Sequence, residues 1–218
     1  MAFALRHTTV SSPIRNFCGN AFAVEPLPSS PLYRLTSRRS WYFSLAAPFV
    51  RYLWPSWLRR AKHAVALLEF ASEIYAGDNG SFFVCDASAT AFGVDSVDNV
   101  KMTSWNNVYS YHELQSLADS RSCQNDSDCI LVPPDCSSSC DRRKQTCTLP
   151  RPSVAAVCTL LKPYLLAEAP RSVTADAALL LSRCTAINAS AANLPLQHAV
   201  IASELKSLLW RQISINVS

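Results

Sequence analysis

The sequence predicts an α/β fold, a small sheet flanked by helices, and three observations carry that expectation. Short apolar runs of strand length sit mid-chain at Phe82 to Cys85, Ala91 to Val94, Val100 to Trp105 and Cys129 to Val132. Longer segments with helical periodicity surround them. Of the 218 residues, 49% are apolar, enough to build a core and too many for wholesale disorder.

Taken in order, residues 1–40 are rich in Ser, Pro and Arg without a clear period, and read as loop or disorder. Trp41 to Leu58 is apolar and aromatic, but Pro48, Arg51 and Pro55 interrupt it. A membrane span needs about 20 unbroken apolar residues, so this stretch reads as short broken helices. Arg59 to Ala76 is a helix: Val65, Leu68, Ser72 and Tyr75 share one face, with Ala61, Ala64, Ala71 and Ile74 beside them. Gly77 is placed to cap it. The turn signal Gly77-Asp-Asn-Gly80 then precedes the Phe82 strand, which ends at Asp86. Two strands follow, joined by a turn over 95–99.

Ser110 to Ser120 opens as a helix with the capping box Ser110-x-x-Glu113. Cys129 to Val132 is a fully apolar strand stopped by Pro133-Pro134, and Asp135 comes next. Residues 136–152, polar and Cys-rich, read as loop. Helical patterns close the chain at Val154 to Ala167, kinked or ended near Pro163, at Thr174 to Ala186 and at Leu196 to Ile213. A last strand is weakly offered by Tyr164 to Ala167, which carries a helical reading as well.

Charge is unevenly placed. Residues 1–62 hold nine Lys and Arg against Glu25 alone, while the other 156 residues balance to −4. A basic arm on an acidic domain suits a protein that grips nucleic acid with one part and holds metal with another, or has a solvated basic tail. Four glycines leave no phosphate loop or dinucleotide fingerprint. Arg6 and His7 interrupt any leader-like start, so the nine cysteines are expected as reduced thiols of a cytoplasmic or nuclear protein.

Ser81-Phe-Phe-Val-Cys-Asp86-Ala-Ser, then Trp105, then the helix with Glu113-Leu resemble the ribonuclease H domain of reverse-transcribing elements, in its DIRS/VIPER form. Val173-Thr-Ala-Asp176-Ala-Ala-Leu-Leu-Leu-Ser-Arg183 resembles the segment that closes such domains. The resemblance implies a ribonuclease H-like mixed sheet over 63–186, a basic remnant of a reverse-transcriptase connection over 1–62, and a separate C-terminal helix over 187–218. It implies a retrotransposon fragment that cleaves the RNA strand of an RNA–DNA hybrid. Asp86, Glu113, Asp135 and Asp176 would bind two Mg2+ or Mn2+ ions, one activating water and the other stabilising the leaving oxygen. Arg38, Arg39, Arg59, Arg60, Arg142, Arg143 and Lys144 would contact phosphates. No Tyr/Phe-x-Asp-Asp polymerase motif is present, and no His shortly precedes Asp176, where many relatives carry one.

Each carboxylate also has a structural reading: Asp86 and Asp135 as turn residues, Glu113 as a cap, Asp176 as a partner of its helix dipole. His112 reads as a surface or half-buried residue. The rival reading rests on Cys123-x5-Cys129-x6-Cys136-x3-Cys140-x6-Cys147. That run fits a catalytically inactive module, binding nucleic acid or held by zinc or disulfides, though no Cys-x-x-Cys knuckle marks a zinc site.

Overall fold

Helix α1 (Trp57–Ala76) runs through the main core, with Leu67, Leu68, Phe70, Ala71 and Ile74 fully buried. The computed structural model describes residues 14–18, 21–24, 55–76, 81–85, 87–103, 105, 107–132, 136–188 and 193–215. Within them the fold is mixed α/β, with five α-helices and small antiparallel sheets. The helices follow the periodic segments closely: α2 (Tyr111–Ser120), α3 (Ser153–Leu166), α4 (Arg171–Thr185) and α5 (Leu194–Ile215). Helix α3 carries Pro163 in its last turn and continues to Leu166, so Tyr164 to Leu166 are helical and supply no strand.

The strands pair in twos. A hairpin of β1 (Ile14–Cys18) and β2 (Ala21–Val24) lies in the segment expected to be loop. Strand β3 (Phe82–Val84) pairs with β6 (Val108–Ser110), and β4 (Phe92–Val94) with β5 (Val100–Met102). In the Cys-rich region β7 (Ile130–Val132) pairs with β8 (Cys136–Ser137), and β9 (Cys140–Asp141) with β10 (Thr146–Cys147). All five ladders are antiparallel, and the expected single mixed sheet is not formed by the described residues.

Two cores share β3. Successive side chains of a strand leave on opposite faces. Phe82 and Val84 therefore join α1, α3, α4 and α5 in the larger core, while Phe83 enters a smaller one with Leu114, Ala118 and Leu131. Cysteines fill the rest of that second core: Cys123, Cys129, Cys136 and Cys147 are buried in it.

Those cysteines are oxidised. Disulfides join Cys85 to Cys136, Cys123 to Cys140, Cys129 to Cys147, and Cys158 to Cys184. The expectation of reduced thiols is corrected: eight of the nine cysteines are paired, with Cα separations of 4.7 to 6.0 Å. A small second core made largely of cysteine has little aliphatic surface to bury, and covalent links supply what packing does not.

The packing of α1 against α3 is joined by polar groups. The last carbonyls of any α-helix lack partners within the helix. Here α1 supplies them for α3: Trp57 Nε1 donates to Leu165 O at 2.9 Å, Arg60 Nη1 to Tyr164 O at 2.7 Å and Nη2 to Ala167 O at 2.6 Å. A guanidinium at a helix C-terminus also opposes the dipole. Arg60 is 1% exposed and packs over the Tyr164 ring, so it is directed inward and not toward a phosphate backbone.

Replacing Arg60 with Met should lower unfolding free energy by about 3 kcal/mol, because buried carbonyls lose their donors. Chemical denaturation measures this, and an unchanged midpoint would contradict the capping role. Cys158→Ala with Cys184→Ala opens a link spanning 26 residues. That pair should cost about 3 kcal/mol by the same measurement.

Candidate functional site

The loop that leaves β3 is held from both sides. Ser153, the first residue of α3, is fully buried: its Oγ accepts from Val84 N–H at 3.0 Å and donates to Phe82 O at 3.1 Å. Cys85 N–H donates to Asn107 O at 2.8 Å, and the Cys85 sulfur is bonded to Cys136. Past the loop, Ala91 N–H donates to Ser88 O at 3.1 Å, and Ala91 O accepts from Thr103 N–H at 2.9 Å. Ala91 itself is buried in the larger core.

The β4–β5 turn is built by Asp95, whose carboxylate accepts from Val97 N–H, Asn99 N–H and Asn99 Nδ2 at 2.8 to 3.1 Å. Burial works against its charge, but these hydrogen bonds outweigh it and hold the carboxyl below its ordinary range. Asp98 sits in the left-handed region with φ 73°, where Asp and Asn are tolerated better than most residues. There its Oδ1 meets Arg59 Nε at 2.7 Å and His63 Nε2 at 2.8 Å. The other ring nitrogen, His63 Nδ1, lies 2.8 Å from the Tyr164 hydroxyl.

These contacts set the tautomer. A carboxylate only accepts, so His63 Nε2 carries the proton and Nδ1 accepts from Tyr164. Burial dominates and lowers the His63 pKa, although Asp98 pulls it upward. Asp98 is correspondingly acidic: burial opposes its charge, and the bonds from His63 and Arg59 prevail. With Tyr164 1% exposed, the chain Arg59–Asp98–His63–Tyr164 is a latch between α1, the β4–β5 turn and α3. Beside it lies an open groove of about 910 Å3, lined by Lys62, Glu69, Val97, Lys101, Trp210 and Ile213.

Of the four carboxylates singled out in the sequence, Glu113 and Asp176 fall among the described residues. Asp86 and Asp135 lie outside the described residues, as do Arg38 and Arg39 and the Gly77 to Gly80 turn. Glu113 is exposed in the first turn of α2, its N–H capped by Ser110 Oγ at 3.3 Å. Asp176 is exposed on α4, a helix that packs against α3 and α5, whereas α2 packs against β6, β7 and β10. Among the described residues the one trio of metal-ligand atoms within 4.8 Å is Cys123, Cys129 and Cys140, all spent in disulfides. A disulfide sulfur is not the thiolate that zinc requires. Arg142, Arg143 and Lys144 are exposed on the β9–β10 turn, and Arg59 is half-exposed against Asp98.

A family model matches residues 1–187 and defines the class: this is a protein-kinase-type domain. The family is described as the protein-kinase domain of FAM69, and the chain belongs to it. The ribonuclease H reading is thereby corrected, and with it the retrotransposon, reverse-transcriptase and nuclease functions. A short apolar strand, an aspartate and a capped helix recur in many α/β folds, so the residues that carry the likeness do not discriminate between these families.

Protein kinases hold Mg2+ and ATP through a catalytic loop His-Arg-Asp-x-x-x-x-Asn and a later Asp-Phe-Gly. In this sequence no aspartate is followed five residues later by asparagine, and neither His-Arg-Asp nor Asp-Phe-Gly occurs. Five residues after Asp86 stands Ala91, a methyl group turned into the core with no oxygen to offer a cation. The donor set of the kinase metal site does not fit this chain.

His198 provides a pH test of the helical core. It is 2% exposed, stacks on Tyr75 with ring centroids 4.5 Å apart, and its Nε2 has no hydrogen-bond partner among the described residues. Burial, opposed by a hydrogen bond with the Ala71 backbone, lowers its pKa from 6.5 to about 4. The unfolded chain then binds a proton that the folded one refuses. Stability from this group is present above pH 6.5 and is lost as pH falls through about 4. His63 adds to the loss in the same direction. His198→Phe should flatten the slope of unfolding free energy against pH across that window, and an unaltered slope would refute the assignment.

Proposed function

We propose that this chain is a disulfide-braced, kinase-like domain that works by binding and not by phosphoryl transfer, in an oxidising compartment. The observation that carries the first half is the missing metal-binding set: Ala91 stands five residues after Asp86, and no Asp-Phe-Gly follows. Without those oxygens a nucleotide's phosphates have no bridging cation, and the electrostatic stabilisation on which phosphoryl transfer depends is lost. The second half is supported by four disulfides in one chain, a density that reducing compartments do not sustain.

The groove beside the His63–Asp98 latch is the binding surface this reading favours. Trp210 lines it, half-exposed, together with Lys62, Lys101 and Glu69. Mixed charge around an aromatic anchor suits a peptide segment more than a polyanion. The inactive Cys-rich alternative drawn from the sequence is retained in its disulfide form.

Two measurements test the proposal. Thermal unfolding of the native protein should shift no more with Mg2+ and ATP than with ATP plus a chelator. A metal-dependent rise in Tm would sink the non-catalytic reading. Thiol titration of the denatured, unreduced protein should find at most one reactive cysteine among nine. Nine reactive thiols would remove the oxidising compartment.

A further inference from the structure

The sequence contains Asn125-Asp126-Ser127 and Asn188-Ala189-Ser190, two Asn-x-Ser triplets whose middle residue is not proline. Such a triplet is the acceptor for N-linked glycan transfer in chains that enter a secretory lumen. By itself the pattern is common and carries little. Here it coincides with disulfides that form in the same kind of compartment, and with exposed positions for both asparagines.

Asn125 opens the short 3-10 turn at Asp126–Asp128, inside the Cys123–Cys140 link. The turn is fixed by its acidic side chains: Asp128 Oδ2 accepts from Gln124 and Asn125 N–H at 2.9 and 3.0 Å, and Asp126 Oδ1 from Cys140 N–H at 2.8 Å. Asn125 and Ser127 are both left at the surface. Asn188 follows the end of α4 and lies on the rim of a cavity of about 420 Å3. Ser138, Ser139, Arg151 and Thr185 line it, with Leu149 and Ile187 as its larger apolar residues. Hydroxyl partners beside a small apolar face are the surroundings that a sugar ring uses, polar at its edge and apolar across its face.

We propose that Asn125 and Asn188 carry N-linked glycans, with the first sugar on Asn188 seated in the cavity beside it. This rests on the oxidising-compartment reading above. In the transfer, the side-chain nitrogen of the asparagine bonds to C1 of the first sugar of a lipid-diphosphate-linked oligosaccharide. The C1–oxygen bond to phosphate breaks, the lipid diphosphate leaves with the bonding pair, and the nitrogen gives up one proton. Asn79-Gly80-Ser81 and Asn216-Val217-Ser218 have the same pattern, but their asparagines lie outside the described residues and are not part of the assignment.

The test is made on the full chain isolated from the cells that produce it. Peptide mapping before and after amidase release of N-glycans should show Asp at 125 and 188 only where a glycan had been. Asn125→Gln and Asn188→Gln should each remove one mobility step on a gel. Ser127→Ala and Ser190→Ala should do the same while keeping the asparagine, which separates lost glycan from lost fold. Unmodified asparagines in protein whose disulfides have formed overturn the assignment and leave the compartment reading standing. Glycan at one position alone overturns it for the other. Free thiols in the same sample overturn both.

Discussion

Because a strand sends alternate side chains to opposite faces, β3 cannot serve one core without serving the other. Phe82 and Val84 are packed among the helices while Phe83 is packed against α2 and the cysteines. A shift of one residue in its pairing with β6 would exchange those sets and place the wrong side chains in both cores. The strand is only three residues long, too short for its ladder to fix that register unaided. Ser153 grips both ends of it from α3, and the Cys85–Cys136 bond fastens its exit to β8. The rest of the molecule is arranged around that join.

On the helical side, the same logic operates with polar groups. Helix α1 brings Trp57, Arg60 and His63 to α3, where three carbonyls that accept from Trp57 and Arg60, together with the Tyr164 hydroxyl, set the sliding position of one helix against the other. His63 then reaches across to Asp98 and so ties the β4–β5 turn to the helices. Buried polar contacts of this sort add less to net stability than aliphatic packing does, but they admit one geometry. The Cys158–Cys184 bond fixes α3 to α4 in turn.

Much of this was legible in the sequence, because periodicity reports which face of an element is buried. Helix α1 was bounded within two residues by its apolar face, and α2 by Ser110 and the capping pattern. Strands β3, β4, β5 and β7 lie within the apolar runs between turns, whereas β6 and the β1–β2 hairpin were not expected. Residues 136–152 read as loop, since three two-residue strands leave no period to detect; their order comes from cross-links whose partners are distant in sequence. The state of the sulfurs was equally hidden: spacing says which cysteines exist, and the three-dimensional path decides which meet. As for the site, neither His-Arg-Asp nor Asp-Phe-Gly stands in the sequence to announce the kinase family.

The interlaced bonds of the Cys-rich region have a consequence for how the molecule comes apart. Arg142, Arg143 and Lys144 project from the β9–β10 turn and are the kind of exposed basic tip that trypsin-like proteases cut. A cut there separates Cys140 from Cys147, yet Cys147 remains bonded to Cys129 on the other side of the cut. The nicked chain would travel as a single particle and fall into two pieces only after reduction. A scission in this turn therefore creates a new pair of chain ends while leaving the assembly covalently whole.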